Sequence, residues 1–286
     1  MVTPASVVCA GIVTYNPDLS LLRQNVAALC SQVETIFIID NGSGNQTDLQ
    51  AYVDGQTNIT LVCNPENQGI AKALNQLCML ARSAAYPWIL TMDQDSVCQS
   101  DMVAHLLAYA DNPEAGILAP RVEFRDGDLL ITSTKHEDQA TVEMPSCITS
   151  GSLTRIDAWE QVGGFDEWFF IDMVDDEFCT RLIVNGYKVI LVNKAVLLQR
   201  AGEMHYVRLP WVGNVLLTYY NETRKYYICR NTVFFLRKYH RYIQFRHQLL
   251  VFLYGFVRRL VFEPHRWQTV RAYATGIRDG FKRKVR

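Results

Sequence analysis

The sequence predicts an α/β protein: a mixed, mostly parallel central sheet flanked by helices, followed by a helical, basic C-terminal extension. Three observations predict it. Apolar runs rich in Val and Ile alternate with helix-length segments through the first half, as in parallel strands buried on both faces. Several of these runs close on polar turns that carry aspartate or asparagine, at the strand ends where open α/β sheets bind ligands. Charge is split along the chain: residues 1–223 hold 12 Lys/Arg against 27 Asp/Glu, and residues 224–286 hold 16 against 2.

Residues 7–13 form the first expected strand, and residues 19–32 a helix with Asp18 as N-cap. Residues 35–39 are a second strand ending at Asp40-Asn41-Gly42-Ser43, and 59–62 a third. A helix over 70–83 is entered through Asn67-Gln68-Gly69, and residues 88–92 are the fourth strand. Beyond them, 115–119 and 148–153 are expected strands, the latter with a glycine where another group approaches the backbone. The polar stretch 121–145 between them is expected to be irregular. A helix over 175–185 ends at Gly186 and leads into a strand over 187–192. From Arg224 onward the chain reads as helical. In the last segment Trp267, Val270, Tyr273, Ile277 and Phe281 mark one apolar face, with the opposite face basic. The expected division is a catalytic domain over 1–223 and a helical region over 224–286.

Composition narrows the function classes. With 286 residues, 49% apolar and 20% charged, the chain supports a globular enzyme with a sizeable core. No uncharged apolar run reaches eighteen residues, so no transmembrane helix is expected, and no signal peptide is expected at the N-terminus. Eight cysteines show neither Cys-x-x-Cys nor zinc-ligand spacing, which reads as small buried hydrophobes in a reduced compartment. An acidic body with a basic tail suits an anionic membrane surface. Nucleic acid is not an expected partner, because the body would repel a phosphate backbone and no nucleic-acid motif is present.

The motifs sit at strand ends. Asp93-Gln94-Asp95 closes the fourth strand, and two carboxylates one residue apart can meet one hard cation and the phosphate it carries. Thr14-Tyr15-Asn16 follows the first strand and offers backbone amides and a ring to a nucleotide base. Asp40 suits the imide N–H of uracil or thymine. Asn67, Gly69 and Lys72 open a helix whose N-terminal amides favour anions. Asp172, Asp175, Asp176 and Glu177 crowd four acids into six residues, suiting either a general base or a helix N-terminus. Arg224 and Arg230 suit a diphosphate, or are solvated helix positions. Neither a dinucleotide-binding glycine motif nor a Walker A lysine is present.

In this order, Thr14-Tyr15-Asn16, Asp40-Asn41-Gly42-Ser43, Glu66-Asn67-Gln68-Gly69-Ile70-Ala71, Asp93-Gln94-Asp95, Gly163-Gly164-Phe165-Asp166-Glu167 and the acidic helix start resemble glycosyltransferase family 2, the inverting GT-A enzymes. Met92 to Ser96, Phe170-Ile171-Asp172 with Val174-Asp175, and Arg224-x-Tyr226-Tyr227-x-x-Arg230-Asn231 resemble most the bacterial rhamnosyltransferases of surface-polysaccharide synthesis.

The resemblance implies transfer of L-rhamnose from dTDP-L-rhamnose to a polyprenyl-diphosphate-linked saccharide, at the cytoplasmic face of the cell membrane. Asp175 would be the catalytic base. Thr14, Tyr15, Asn16, Asp40, Asn67, Gly69, Lys72, Asp93, Gln94, Asp95, Gly151, Arg224 and Arg230 would hold the donor. Asp93 and Asp95 would also hold a Mg²⁺ or Mn²⁺ ion. Asp172, Glu177, Trp168 and His205 would support the site or meet the acceptor. The family often has a histidine where this chain has Gln199, and His205 lies a little further on. The alternatives are another donor on the same machinery (UDP-galactofuranose, UDP-glucose or UDP-GlcNAc) and, more remotely, nucleotidyl transfer. The amphipathic tail suits a membrane surface; core packing and a homodimer contact are its other uses.

Overall fold

The computed structural model describes residues 8–126, 129–132, 138–200, 204–209, 213–218, 220–263 and 265–285; among these, side chains are described except at 125–126, 129–132, 200, 204–209 and 213–218. The chain divides into two compact units: residues 1–170 with 174–200, and residues 171–173 with 201–286.

The first unit begins with β1 (Val8–Thr14), α1 (Leu19–Cys30), β2 (Ile36–Asp40), α2 (Gln46–Val53), β3 (Ile59–Cys63), α3 (Ile70–Ser83) and β4 (Trp88–Asp93). These strands pair in parallel in the order β3-β2-β1-β4. β1 is buried almost throughout and β2 entirely, which explains their unbroken apolar sequences. Asp18 caps α1 as expected, accepting from the Ser20 amide at 2.8 Å and the Leu21 amide at 3.4 Å. The chain winds outward from β1 to β3 and then returns through α3 to place β4 on the other side of β1. The sheet therefore reverses its winding between β1 and β4, and such a reversal opens a crevice at the carboxyl ends of the strands.

The rest of the unit comprises β5 (Val97–Cys98), α4 (Met102–Leu107), β6 (Ala115–Asp126), β7 (Leu129–Thr132), β8 (Thr141–Glu143), β9 (Ser152–Arg155), α5 (Ile156–Gln161), a 3₁₀ turn at Glu167–Phe169, α6 (Val174–Val184) and β10 (Lys188–Arg200). β9 joins β4 antiparallel, and β6 and β10 continue the sheet as a parallel pair. The described part of the stretch 121–145 is thus largely strand rather than irregular. β6 runs on to Asp126 and forms a hairpin with β7. Val122 is buried and Phe124 packs against the core, and both alternate with Arg121 and Glu123, an ion pair at 2.8 Å. The charges concealed a period of two. The strand expected over 148–153 begins only at Ser152, because Gly151 adopts φ 76° and breaks the extended run. The cysteine expectation fails at Cys30 and Cys63, which are exposed; all eight are free.

The second unit holds a hairpin, β11 (Met204–Leu209) with β12 (Gly213–Thr218), and three helices: α7 (Glu222–Tyr239), α8 (Phe245–Phe262) and α9 (Arg266–Lys282). α9 lies close on α7 because Gly276 and Gly280 face it: a Cβ on Gly280 would stand 2.6 Å from the Arg230 carbonyl oxygen. The face of α9 that packs is Thr269, Ala272, Tyr273, Gly276 and Gly280. Tyr273 is therefore not on the outer stripe; it is buried, its ring 4.5 Å from that of Phe256. Trp267, Val270, Ala274, Ile277 and Phe281 form the outward apolar stripe. Arg271, Arg278 and Lys282 also face outward rather than lying opposite it. Among the described residues, no helix is long and apolar enough to cross a membrane.

Candidate active site

Three adjacent parallel strands deliver the site. Thr14 stands opposite Asp40 and Val13 opposite Asp93, so the polar residues that end β1, β2 and β4 lie at one edge of the sheet. Hydrogen bonds then tie the loops together. Gln94 closes a reciprocal pair with the Tyr15 backbone: its Oε1 accepts from the Tyr15 amide at 2.8 Å, and its Nε2 donates to the Tyr15 carbonyl at 3.4 Å. Asn16 adopts φ 47°; its amide donates to Ser43 Oγ at 2.7 Å and its Oδ1 accepts from the Gly44 amide at 2.8 Å. The Tyr15 ring is left about half-exposed, as a stacking surface for a base requires.

Asp40 is fully buried. Its carboxylate accepts from Thr14 Oγ1 and the Ser43 amide, both at 3.0 Å, and from Ser43 Oγ. These three donors occupy most of its acceptor capacity and make it first a clasp between the ends of β1 and β2.

Asp93 is held on all sides. Its amide donates to Ser150 Oγ at 3.0 Å, its carbonyl accepts from Asn25 Nδ2 at 2.6 Å, and its Oδ2 accepts from Gln199 Nε2 at 3.2 Å. Burial, and then the neighbouring charge of Asp95, push the Asp93 carboxyl up to about 6. A divalent cation relieves such crowded negative charge. The oxygen set fits one: besides the two carboxylates, Gln199 Oε1 is buried without a hydrogen-bond partner among the described residues. No group of three His, Cys, Asp or Glu side chains suited to a metal occurs among the described residues. Among the described residues, these few oxygens are what could meet such an ion.

The start of α3 is built differently from an open anion site. Asn67 Oδ1 accepts from the Gly69 amide at 2.9 Å and from Asn41 Nδ2 at 3.1 Å, while the Ile70 amide goes to the Phe170 carbonyl at 2.6 Å. Gly69, at φ 87°, has no room for a side chain, since a Cβ would lie 2.7 Å from that same carbonyl oxygen. Lys72 pairs with Glu167 at 3.4 Å on the surface. Gly151 packs against Pro120 and Leu197, and its amide donates to the Thr91 carbonyl at 2.7 Å.

Asp175 stands half-buried in the first turn of α6 and lines a small cavity with Thr149, Ser152, Phe165 and Cys179. Asp176 accepts from Ser146 Oγ at 2.7 Å. Glu177 is buried and takes the Arg181 guanidinium at 2.7 and 3.2 Å, while Arg181 also donates to the Val162 carbonyl at 2.7 Å; Glu177 thereby anchors α6. Trp168 lies edge-on to Phe169.

In the second unit, Asp172 receives Arg224 Nη2 at 3.0 Å, and Arg230 lies over the Tyr227 ring at 4.6 Å. The side chain of His205 falls outside those described. Sequence reasoning missed Asn25 and Ser150, which hold the Asp93 backbone. Asn25 left one trace, a polar residue on the face of α1 that Leu22, Val26 and Leu29 bury.

Comparison with known proteins places this geometry. The fold is that of GT-A glycosyltransferases. TarS of S. aureus, solved with UDP-GlcNAc, superposes with a TM-score of 0.64 at 13% identity, over 96% of this chain and 80% of that one. GalNAc-T7, solved with UDP, GalNAc and Mn²⁺, gives 0.59 at 14% identity over 70% of this chain, which spans 45% of that chain's length. The chain belongs to glycosyl transferase family 2, whose model matches residues 9–171. A dTDP-rhamnosyl transferase, RfbF of Shigella flexneri, is 29% identical over 243 residues, covering 81% of this chain and 80% of the relative.

Proposed function

We propose that this glycosyltransferase moves L-rhamnose from dTDP-L-rhamnose, with inversion, to a hydroxyl of a polyprenyl-diphosphate-linked saccharide in the synthesis of a bacterial surface polysaccharide such as O-antigen. Similarity to the Shigella rhamnosyl transferase supports the donor. One geometric observation supports the chemistry. The segment 148–152 binds the Asp93 amide through Ser150 and lines the Asp175 cavity through Thr149 and Ser152. This shared segment supports reading Asp175 and the aspartates that would meet the diphosphate as parts of one site.

Asp175 accepts the proton of the acceptor hydroxyl as its oxygen attacks the anomeric carbon, and the nucleoside diphosphate departs from the opposite face. Tyr15 stacks on the base, and Asp40 and Gln94 hold the loops that carry it. Asp93 and Asp95, with the Gln199 amide oxygen, would hold Mg²⁺ or Mn²⁺, which when bound offsets the charge of the leaving diphosphate.

The proposed division of labour gives residues 1–223 the chemistry and residues 224–286 the attachment to the anionic inner face of the membrane. The support is an outward stripe on α8, Leu250, Tyr254, Val257 and Val261, with the stripe on α9, set in a segment holding 16 Lys/Arg against 2 acids.

Isothermal titration with dTDP, UDP, GDP and their sugars, with and without Mg²⁺, tests the donor. The expected result is strongest, metal-dependent binding of dTDP-L-rhamnose. Preference for UDP-galactofuranose, UDP-glucose or UDP-GlcNAc would discard the rhamnosyl assignment and keep the enzyme class.

A further inference from the structure

Two free thiols meet beside Asp175, all within the first unit. Cys147 Sγ and Cys179 Sγ stand 3.9 Å apart, and Cys179 Sγ also donates to the Cys147 carbonyl at 3.9 Å. Cys179 is buried and lies one turn after Asp175 on the same face of α6. Cys147 is half-buried, its Sγ 3.5 Å from Ser152 Oγ, and it precedes by three residues Ser150, whose hydroxyl holds the Asp93 amide. Both cysteines, Ser152 and Asp175 line one cavity of about 10 Å³, room for a single water at most. Packing accounts for Cys179 as a small apolar side chain. It does not account for a half-exposed thiol set against it.

We propose that Cys147 and Cys179 are a redox-sensitive pair: peroxide converts them to a disulfide that staples the 147–152 segment to α6, shifts Asp175 and slows transfer. The slowing rests on the reading of Asp175 as the base; the formation of the bond does not. Cys147, the more exposed thiol, reacts first. It takes one oxygen of hydrogen peroxide to become a sulfenic acid, and the other oxygen leaves as water. The neighbouring Cys147 thiol, and then burial, hold the Cys179 thiol well above its ordinary range, which makes Cys179 the poorer first nucleophile. Its sulfur then attacks the Cys147 sulfur, the S–S bond forms, and the hydroxyl leaves with the Cys179 proton as a second water. Two thiols thus give up two electrons, and one peroxide becomes two waters. A disulfide bond is about 2.05 Å long, so the sulfurs must draw together by about 1.9 Å. A cavity this small has no slack to absorb that movement, and Asp175 is part of its wall. In a reducing compartment such a bond is transient.

The full chain would be treated with hydrogen peroxide, quenched with catalase, alkylated, digested and mapped by mass spectrometry. Rhamnosyl transfer would be measured before treatment, after it, and after dithiothreitol. The expected result is a disulfide-linked Cys147–Cys179 peptide that appears in step with a kcat loss of roughly 10²-fold, as for an ångström-scale misplacement of a catalytic group. Dithiothreitol should reverse both. Cys147→Ser, compared with its own untreated rate, should lose little; if it does not fold, Cys147→Ala carries the same comparison. In Asp175→Asn the linkage should form and cost much less, because there is no base left to misplace. Oxidation confined to the exposed Cys30 and Cys63 would overturn the pair. So would a linked peptide with unchanged turnover, or a loss in Cys147→Ser as large as in the wild type. An equal loss in Asp175→Asn would overturn the action through the base. Full turnover in untreated Asp175→Asn would remove the base assignment and the slowing with it, while the mapped peptide would still decide whether the bond forms.

Discussion

At the scale of single residues, two carboxylates do opposite things. Asp175 would work by accepting a proton, and a well-placed base contributes roughly 10²–10⁴-fold. Asp175→Asn should lose about that factor in kcat and keep donor affinity, as steady-state kinetics beside titration would read. Asp93 is a cost to the metal-free fold. Its carboxyl is raised to about 6 against an ordinary value of 3.8, so the folded state prefers the neutral acid. The ionised form therefore weakens the fold, fully above pH 6 and progressively less as pH falls toward 4. Without divalent metal, Asp93→Asn should stabilise the fold at pH 7.5 by on the order of 2 kcal/mol after allowing for its partial exposure, read as a higher melting temperature, with the gain shrinking by pH 4.5. Equal gains at both pH values would show that charge burial is not the cause.

At the scale of elements, the second unit is pinned by buried charge. Lys225 on α7 and Glu263 just past α8 are both buried and ion-paired, and Lys225 Nζ also donates to Thr269 Oγ1 of α9 at 3.0 Å. Arg259 stands 3.7 Å from the other oxygen of Glu263 and donates to Tyr273 Oη at 3.1 Å. Removing one partner of a buried pair leaves an uncompensated charge, so Lys225→Met should cost about 3 kcal/mol in denaturant unfolding. That is the low end of the usual range, because Arg259 stays beside the carboxylate. Lys225→Met together with Glu263→Leu should recover most of the loss. α9 contributes Gly276 and Gly280 to the same packing, so deleting it would disturb α7 as well as remove the outer stripe. Point changes on the stripe are the cleaner probe of its use.

At the scale of the whole molecule, the first part of the chain is acidic and the last part basic. If the tail docks on anionic lipid, the full chain should co-sediment with phosphatidylglycerol vesicles and much less with phosphatidylcholine vesicles. Binding should fall as salt rises toward 1 M, where charges are screened beyond about 3 Å. Leu250→Glu with Trp267→Glu should abolish it without changing turnover on a soluble acceptor. Vesicle binding that survives both substitutions would rule out the stripes as the docking face. A dimer in light scattering that dissociates in the same variant would assign the stripes to a second copy instead.

By itself the sequence determined the alternation of strands and helices, the Asp18 cap, the strand-end positions of Thr14, Asp40 and Asp93, the family and the charge division. The family and the charge division are read from residues strung along the whole chain; each of the others is local, carried within a dozen positions by a run of apolar residues, a spacing or a turn residue. Tertiary structure decided what each polar group is used for. That Asp40 clasps two strands, that Glu177 belongs to Arg181, that Gln199 reaches Asp93 and that Tyr273 turns inward depend on partners from four to more than a hundred residues away. The extended run of β6 was hidden for a related reason. Its charges look like loop until the pairing with β7 and β10 supplies backbone hydrogen bonds that no local pattern encodes. A buried polar group must find a partner, and the sequence names the group, but only the folded chain chooses the partner.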